Sequence, residues 1–266
     1  MKSVLKVAAA IASLALASCG GGGGGNAAIG KVFNYGAPQA PTTAEQAAAS
    51  SAEGSVTASS GFGASPNASN GTTIIGIADD LAAAALGDAA VPAAVAQNPR
   101  LRSAFRTAAS AADCTSVSPT GITFNQCSDT ESGYAFVMNG SVSLSGNKIT
   151  WDVTGSFSGS DQGVSFNVNL HQSGSVTVVQ STDLTDTSLS EIGGTVSGNG
   201  QSVSFGVSTA ALIDLTYTPN CITAGTIEVK RVWSPRPNGL TQTDAPDVGV
   251  KLTWTGCATV QVQHSM

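Results

Sequence analysis

Charge is scarce in this chain. Asp, Glu, Lys and Arg supply 11% of its 266 residues, against about 25% in ordinary soluble domains. The basic residues number 11 against 17 acidic ones. The densest basic spot is Lys230-Arg231, with Arg236 just after. That is no footprint for nucleic acid and no polybasic patch for anionic lipid. There are two histidines, His171 and His264, and no C-x-x-C pair, so a zinc site is not expected. No segment has the G-x-S-x-G of a nucleophile elbow; Gly155-Ser156-Phe157-Ser158-Gly159 comes nearest and puts Phe157 at the nucleophile position. The run Gly20–Gly25 lacks a preceding strand and a following Lys-Ser/Thr, so it is no phosphate loop. Val7 to Ala17 is too short for a transmembrane helix, which needs about 20 apolar residues. No cofactor, metal or catalytic residue is expected.

What the chain does have begins at its amino end. Lys2 and Lys6 precede the apolar run Val7 to Ala17, which closes in small residues. This is the charge-then-apolar order of a secretory signal. Leu16-Ala17-Ser18-Cys19 follows, and then six glycines. The tetrapeptide resembles the lipobox of bacterial lipoprotein precursors. The resemblance covers residues 1–19 and implies cleavage before Cys19, lipidation of its thiol and acylation of the new amino terminus. Several acyl chains would make a durable anchor, since one chain alone holds only marginally. Gly20, where the enterobacterial inner-membrane retention signal has Asp, favours the outer membrane by the same resemblance. The implied partner is thus the membrane itself, reached through the lipid. Without Lys2 and Lys6 the mature chain has nine basic and 17 acidic side chains, a balance of −8.

Residues 19–72 read as a flexible tether. Glycine imposes no backbone preference, and Ser55 to Thr73 is rich in Ser, Gly and Asn. Inside it, Thr42 and Glu45 have capping-box spacing for a short Ala-rich helix through Ser51. Residues 73–113 read as a helical section. Its best-defined stretch has Asn98 as N-cap, Pro99 in the first turn, and Leu101 and Phe105 on one face.

From Cys114 onward the period becomes two. Phe136, Met138, Val142 and Leu144 alternate with polar residues, as do Ile149, Trp151, Val153 and Phe157, then Val164, Phe166, Val168 and Leu170. After Gly198-Asn199-Gly200 come Val203, Phe205, Val207, Ala211, Ile213, Leu215 and Tyr217, then Ile227, Val229, Arg231 and Trp233. Val248, Val250, Leu252 and Trp254 precede Val260 and Val262. Such alternation between tight turns predicts an antiparallel meander with one buried face. The expected fold over 114–266 is mainly β, a curved sheet or incomplete barrel or sandwich of about eight to ten strands, with the helical section packed on it. The strand parity of Trp151, Trp233 and Trp254 assigns them to the core.

Four cysteines remain beside Cys19, in a compartment that permits disulfides. Cys114 and Cys127 bracket the turn sequence Ser118-Pro119-Thr120-Gly121. Cys221 and Cys257 lie symmetrically about Gly239 and would meet at the open end of a 223–233/248–256 hairpin. The expected pairs are therefore Cys114–Cys127 and Cys221–Cys257. Asp183, Asp186 and Glu191 form the one local acidic group of the β region, in a stretch, 180–190, that reads as a solvated loop with calcium as the rival. His171, Asp152 and Asp214 are expected to face solvent. The expected role is a lipid-anchored, non-enzymatic structural or binding domain of the envelope. The alternative is a periplasmic carrier or sensor of apolar ligands, a lipid or an acyl chain, held in a curved-sheet cavity.

Overall fold

The computed structural model describes residues 27–59 and 114–266, apart from 119, 132–133, 162, 180–182, 219, 237–240 and 245. Cys19 and the expected helical section 73–113 lie outside these residues. Ten strands form one antiparallel sheet in strict chain order. They are β1 (Thr115–Ser118), β2 (Gly121–Glu131), β3 (Tyr134–Ser145), β4 (Lys148–Asp161), β5 (Val164–Val179), β6 (Asp183–Gly198), β7 (Gln201–Thr218), β8 (Cys221–Trp233), β9 (Val248–Gly256) and β10 (Thr259–His264). The sheet is open, a meander whose ends do not pair. Register shifts interrupt the β2–β3, β7–β8 and β9–β10 ladders, and such bulges bend strands and sharpen their twist.

Turn chemistry sets the register. Asn199 and Gly200 both have positive φ, at 52° and 74°, between the paired Gly198 and Gln201. A two-residue hairpin of this hand needs positive φ at both central positions, which Asn-Gly tolerates best. From there the period of two decides which side chains meet. Trp151, Ile213, Leu215, Ile227, Val229, Leu252, Trp254 and Val262 are all buried in one cluster that runs from β2 to β10. Opposite them, Thr150, Asp152, Thr154, Asn167, Asn169 and Asp214 leave the other face polar and largely exposed.

The amino-terminal segment departs from the expected tether. Residues 27–59 are folded against the sheet. Helix α1 (Ala27–Gly30) lies against β7 and β8. Its Ala28 is fully buried among Leu189, Ala210 and Val232, on the face that elsewhere is polar. The chain then runs along β10. Gly36 N donates to His264 O and Gln39 N to Val262 O, both at 2.9 Å, and Val262 N returns a bond to Gln39 O at 3.0 Å. These bonds cover what would be an open sheet edge, a template for unwanted pairing. Helix α2 (Thr43–Ser59) follows, longer than the expected stretch to Ser51. Its Ala49 and Ala52 join the main apolar cluster. The segment therefore passes from one face of the sheet to the other around β10.

The start of α2 is the expected capping box. Thr42 N and Oγ1 donate to Glu45 Oε2 at 2.7 and 2.8 Å, and Glu45 N donates to Thr42 Oγ1 at 3.4 Å. Two polar contacts fix the helix to the sheet: Glu45 Oε1 meets His264 Nε2 at 2.6 Å, and Trp254 Nε1 donates to Glu53 Oε1 at 3.0 Å.

Candidate functional site

Both disulfide expectations correspond to cysteine pairs at bonding distance. Cys114 and Cys127 have Cα atoms 5.0 Å apart, and Cys221 and Cys257 5.5 Å, within the span a disulfide bridges. The first pair stands at the open end of the β1–β2 hairpin, in which Ser118 pairs with Gly121; the second stands at the open end of the β8–β9 hairpin, where Gly225 pairs with Trp254.

The acidic group resolves differently from the expectation. Residues 183–190 belong to strand β6, paired to β5 and β7 along its length. Alternation therefore separates the three acids. Asp186 is buried on the apolar face, beside Val176 and Ile213. Asp183 and Glu191 share the opposite face but lie eight residues apart, about 26 Å at 3.3 Å per residue. They cannot converge on one cation. Among the described residues no set of three or more His, Cys, Asp or Glu is arranged as metal ligands.

Two polar groupings among the described residues bear on the site expectations, one on each face. On the polar face His171 sits between strands β4 and β6. Its Nδ1 is 3.1 Å from Glu191 Oε2 and its Nε2 is 3.1 Å from Asp152 Oδ1. The imidazole was expected to be solvated; instead its side chain is 28% exposed and both nitrogens face carboxylates. A triad needs one ring nitrogen directed at a nucleophile, and here each is taken by an acid. His264 is likewise held by Glu45. Asp214 is exposed, as its parity requires.

The apolar face carries an interruption. Val153, Gln172, Ser190, Thr209, Arg231 and Val248 pair in succession across β4 to β9. Four consecutive members of this row are polar. On one side lies the main cluster; on the other lies a second, of Val168, Ile192, Val196, Val203, Phe205 and Val207. Gln172 and Thr209 are buried. Arg231 Nε is buried without a hydrogen-bond partner, and so is the indole Nε1 of Trp233, two residues along the same face. Burial lowers the Arg231 pKa, opposed by the charge of Asp247. Asp247 is itself engaged by Trp233 N at 3.0 Å, Arg236 Nη2 at 3.0 Å and Lys31 Nζ at 3.4 Å. Trp151 and Trp254 are core residues, each 2% exposed. Trp233 is only partly buried, packed against the second cluster.

Sequence reasoning placed Arg231 at an apolar parity without giving it a role. The signal was there: a cation between Val229 and Trp233 on a buried face, with no acid at matching parity in its own strand. Gln172, Ser190 and Thr209 gave no comparable signal, because Ser, Thr and Gln also populate the polar face. Comparison with protein-family models, curated proteins and solved structures finds no match to this chain.

Proposed function

We propose that the chain is a lipoprotein of the bacterial envelope, anchored through Cys19 to the outer membrane. Its sheet domain works by structural support or binding rather than by catalysis. The observation that carries the anchor is the order of charge, apolar run and Leu16-Ala17-Ser18-Cys19 at the amino end. The non-enzymatic reading is supported by the use of both imidazoles in contacts with carboxylates. It is also supported by alternation along β6, which keeps the acids of that strand from converging. The cysteine pairs fit an exported chain, since disulfides persist in oxidising compartments.

The test is metabolic labelling in a bacterial host with an alkyne-bearing palmitate, followed by membrane fractionation. The wild-type chain is expected to take up label and to sediment with the outer membrane. Cys19→Ser should lose both properties while keeping the two internal cysteine pairs oxidised. An unlabelled wild type, or a Cys19→Ser chain that still carries label, would refute the anchor.

A further inference from the structure

The row Gln172–Ser190–Thr209–Arg231 breaks an apolar face at its middle, and its cation is the costly member. A guanidinium removed from water needs a counter-charge and hydrogen-bond acceptors; without them its burial is strongly unfavourable. Arg231 Nε has no acceptor. Asp247, the acid whose charge acts on Arg231, already receives two cations and a backbone N–H. A second donor, Trp233 Nε1, is also buried and unpartnered on the same face. The hydroxyl-bearing Thr209 stands directly across from Arg231 in the ladder. Two buried donors without acceptors thus lie together, one of them on a partly buried cation whose electrostatic support is the shared Asp247. Apolar clusters flank them on both sides.

We infer that this place binds the carboxylate of an amphiphilic monoanion, a medium- or long-chain acyl carboxylate, with its head on Arg231 and Trp233 and its tail along the apolar face. Guanidinium and carboxylate are matched in geometry and charge; the planar fork offers parallel N–H groups to two oxygens. The indole N–H gives the head a further donor, and a carboxylate has acceptor sites for all of them. Asp247 already bears on this guanidinium, so a single added negative charge suits the place better than the double charge of a phosphate monoester. The tail follows from the neighbours: Val207 pairs with Trp233 and Val229 with Val250, so apolar side chains line both directions away from the head. This inference goes beyond the anchoring proposed above and does not depend on it.

The experiment uses the full chain carrying Cys19→Ser, exported and purified without detergent, so that failure of the anchor leaves the result intact. Dodecanoate, dodecanol and dodecyl phosphate are titrated, read by calorimetry and by tryptophan fluorescence. Dodecanoate should bind at least about tenfold tighter than dodecanol, as expected when a buried charge gains its counter-ion. Arg231→Met should remove that preference while leaving dodecanol binding unchanged. Trp233→Phe should weaken dodecanoate alone, by a smaller factor. Without ligand, Arg231→Met should melt higher than the parent, because it replaces a partly buried guanidinium whose Nε lacks an acceptor with an apolar side chain of similar length. Equal binding of dodecanoate and dodecanol, binding of neither, or tighter binding of dodecyl phosphate would each overturn the proposal. So would an Arg231→Met chain that melts lower or fails to fold, since Arg231 would then be a satisfied structural residue.

Discussion

The described side chains of helix α2 bury little apolar surface, so its cap and its two polar contacts should weigh heavily in whether it stays on the sheet. Among its described side chains, the buried apolar residues of the helix are Ala48, Ala49 and Ala52. One methyl group each, at about 0.8 kcal/mol per buried carbon, gives roughly 2–3 kcal/mol before ordering costs. Glu45→Ala removes the reciprocal half of the capping box, worth about 1 kcal/mol. It also removes the contact with His264. That imidazole is 44% exposed and can return to water, so the contact is discounted to about 1 kcal/mol or less. The expected loss is about 2 kcal/mol, or about 4–8 °C in melting temperature for a domain of this size. Glu45→Gln keeps an acceptor for Thr42 N and should lose about half as much. The pH dependence gives a second signature. Burial pushes the Glu45 pKa up, but the Thr42 backbone N–H, the Thr42 hydroxyl and His264 outweigh it, and the net shift is downward. A depressed carboxyl contributes stability that is full above its unfolded pKa and is lost as pH falls through its folded pKa. The gap between wild type and Glu45→Gln should therefore be full near neutrality and close below the ordinary glutamate range, at about pH 4 and under. Urea unfolding from pH 3 to 7 measures the gap, and amide exchange over residues 46–52 reports whether α2 has undocked. A gap that stayed constant with pH, together with unchanged exchange in Glu45→Ala, would refute this account of the helix.

Two further predictions concern the sheet. A Cβ at Gly174 would sit 2.5 Å from Thr187 O and 2.5 Å from the Trp151 ring, so Gly174→Ala should destabilise by about 2–3 kcal/mol through overpacking and alter the near-UV circular dichroism of Trp151. An unchanged urea midpoint would show that the ring has room to move. The cysteine pairs close loops of unequal length, with separations of 36 and 13 residues. By chain entropy, Cys221→Ser with Cys257→Ser should cost about 4 kcal/mol and Cys114→Ser with Cys127→Ser about 3 kcal/mol. Denaturation of the two double variants tests the order, and a reversed order would show that native-state contacts, not loop length, decide.

The sheet was legible because its pattern is local. From Phe136 to Val262 the apolar residues keep a period of two, and that period survives wherever one face is buried. The capping box at Thr42 and the cysteine pairs were legible for the same reason, since spacing along the chain fixed them. Strand β6 was not, because Asp183-Leu-Thr-Asp-Thr-Ser-Leu-Ser sets small polar residues on both faces. Its extended state comes from its neighbours, which supply ladder bonds along both edges. The segment 27–41 was not legible either, because what docks it lies elsewhere. Gly249 leaves the space that Phe33 and Tyr35 occupy; a Cβ there would lie 2.8 Å from the Tyr35 hydroxyl oxygen and 2.9 Å from the Phe33 ring. Tyr35 Oη then donates to Glu228 Oε1 at 2.7 Å. No reading of Phe33 and Tyr35 alone shows a glycine more than 200 residues away.

That docking changes the mechanics of the proposed anchor. A tether reaching from Cys19 to residue 72 would behave as a coil with a root-mean-square span of roughly 40 Å. With α1 beginning at Ala27 on the surface of β7 and β8, the span left between lipid and fold is residues 20–26. Even fully extended, the step from Cys19 to Ala27 covers no more than about 29 Å. The lipid would then leave the domain beside α1, on the face opposite the main apolar cluster, and hold that face toward the bilayer. The Arg231 face would be turned away from the membrane, so an acyl carboxylate reaching it would come from solution or from another protein rather than from the adjoining leaflet. Moving the attachment point tests this geometry. Twenty added Gly-Ser residues before Ala27 should leave dodecanoate binding unchanged while freeing the domain to tumble, read as narrower resonances on vesicles. Unchanged line widths would mean that contacts with the bilayer, and not the short span, restrain the domain.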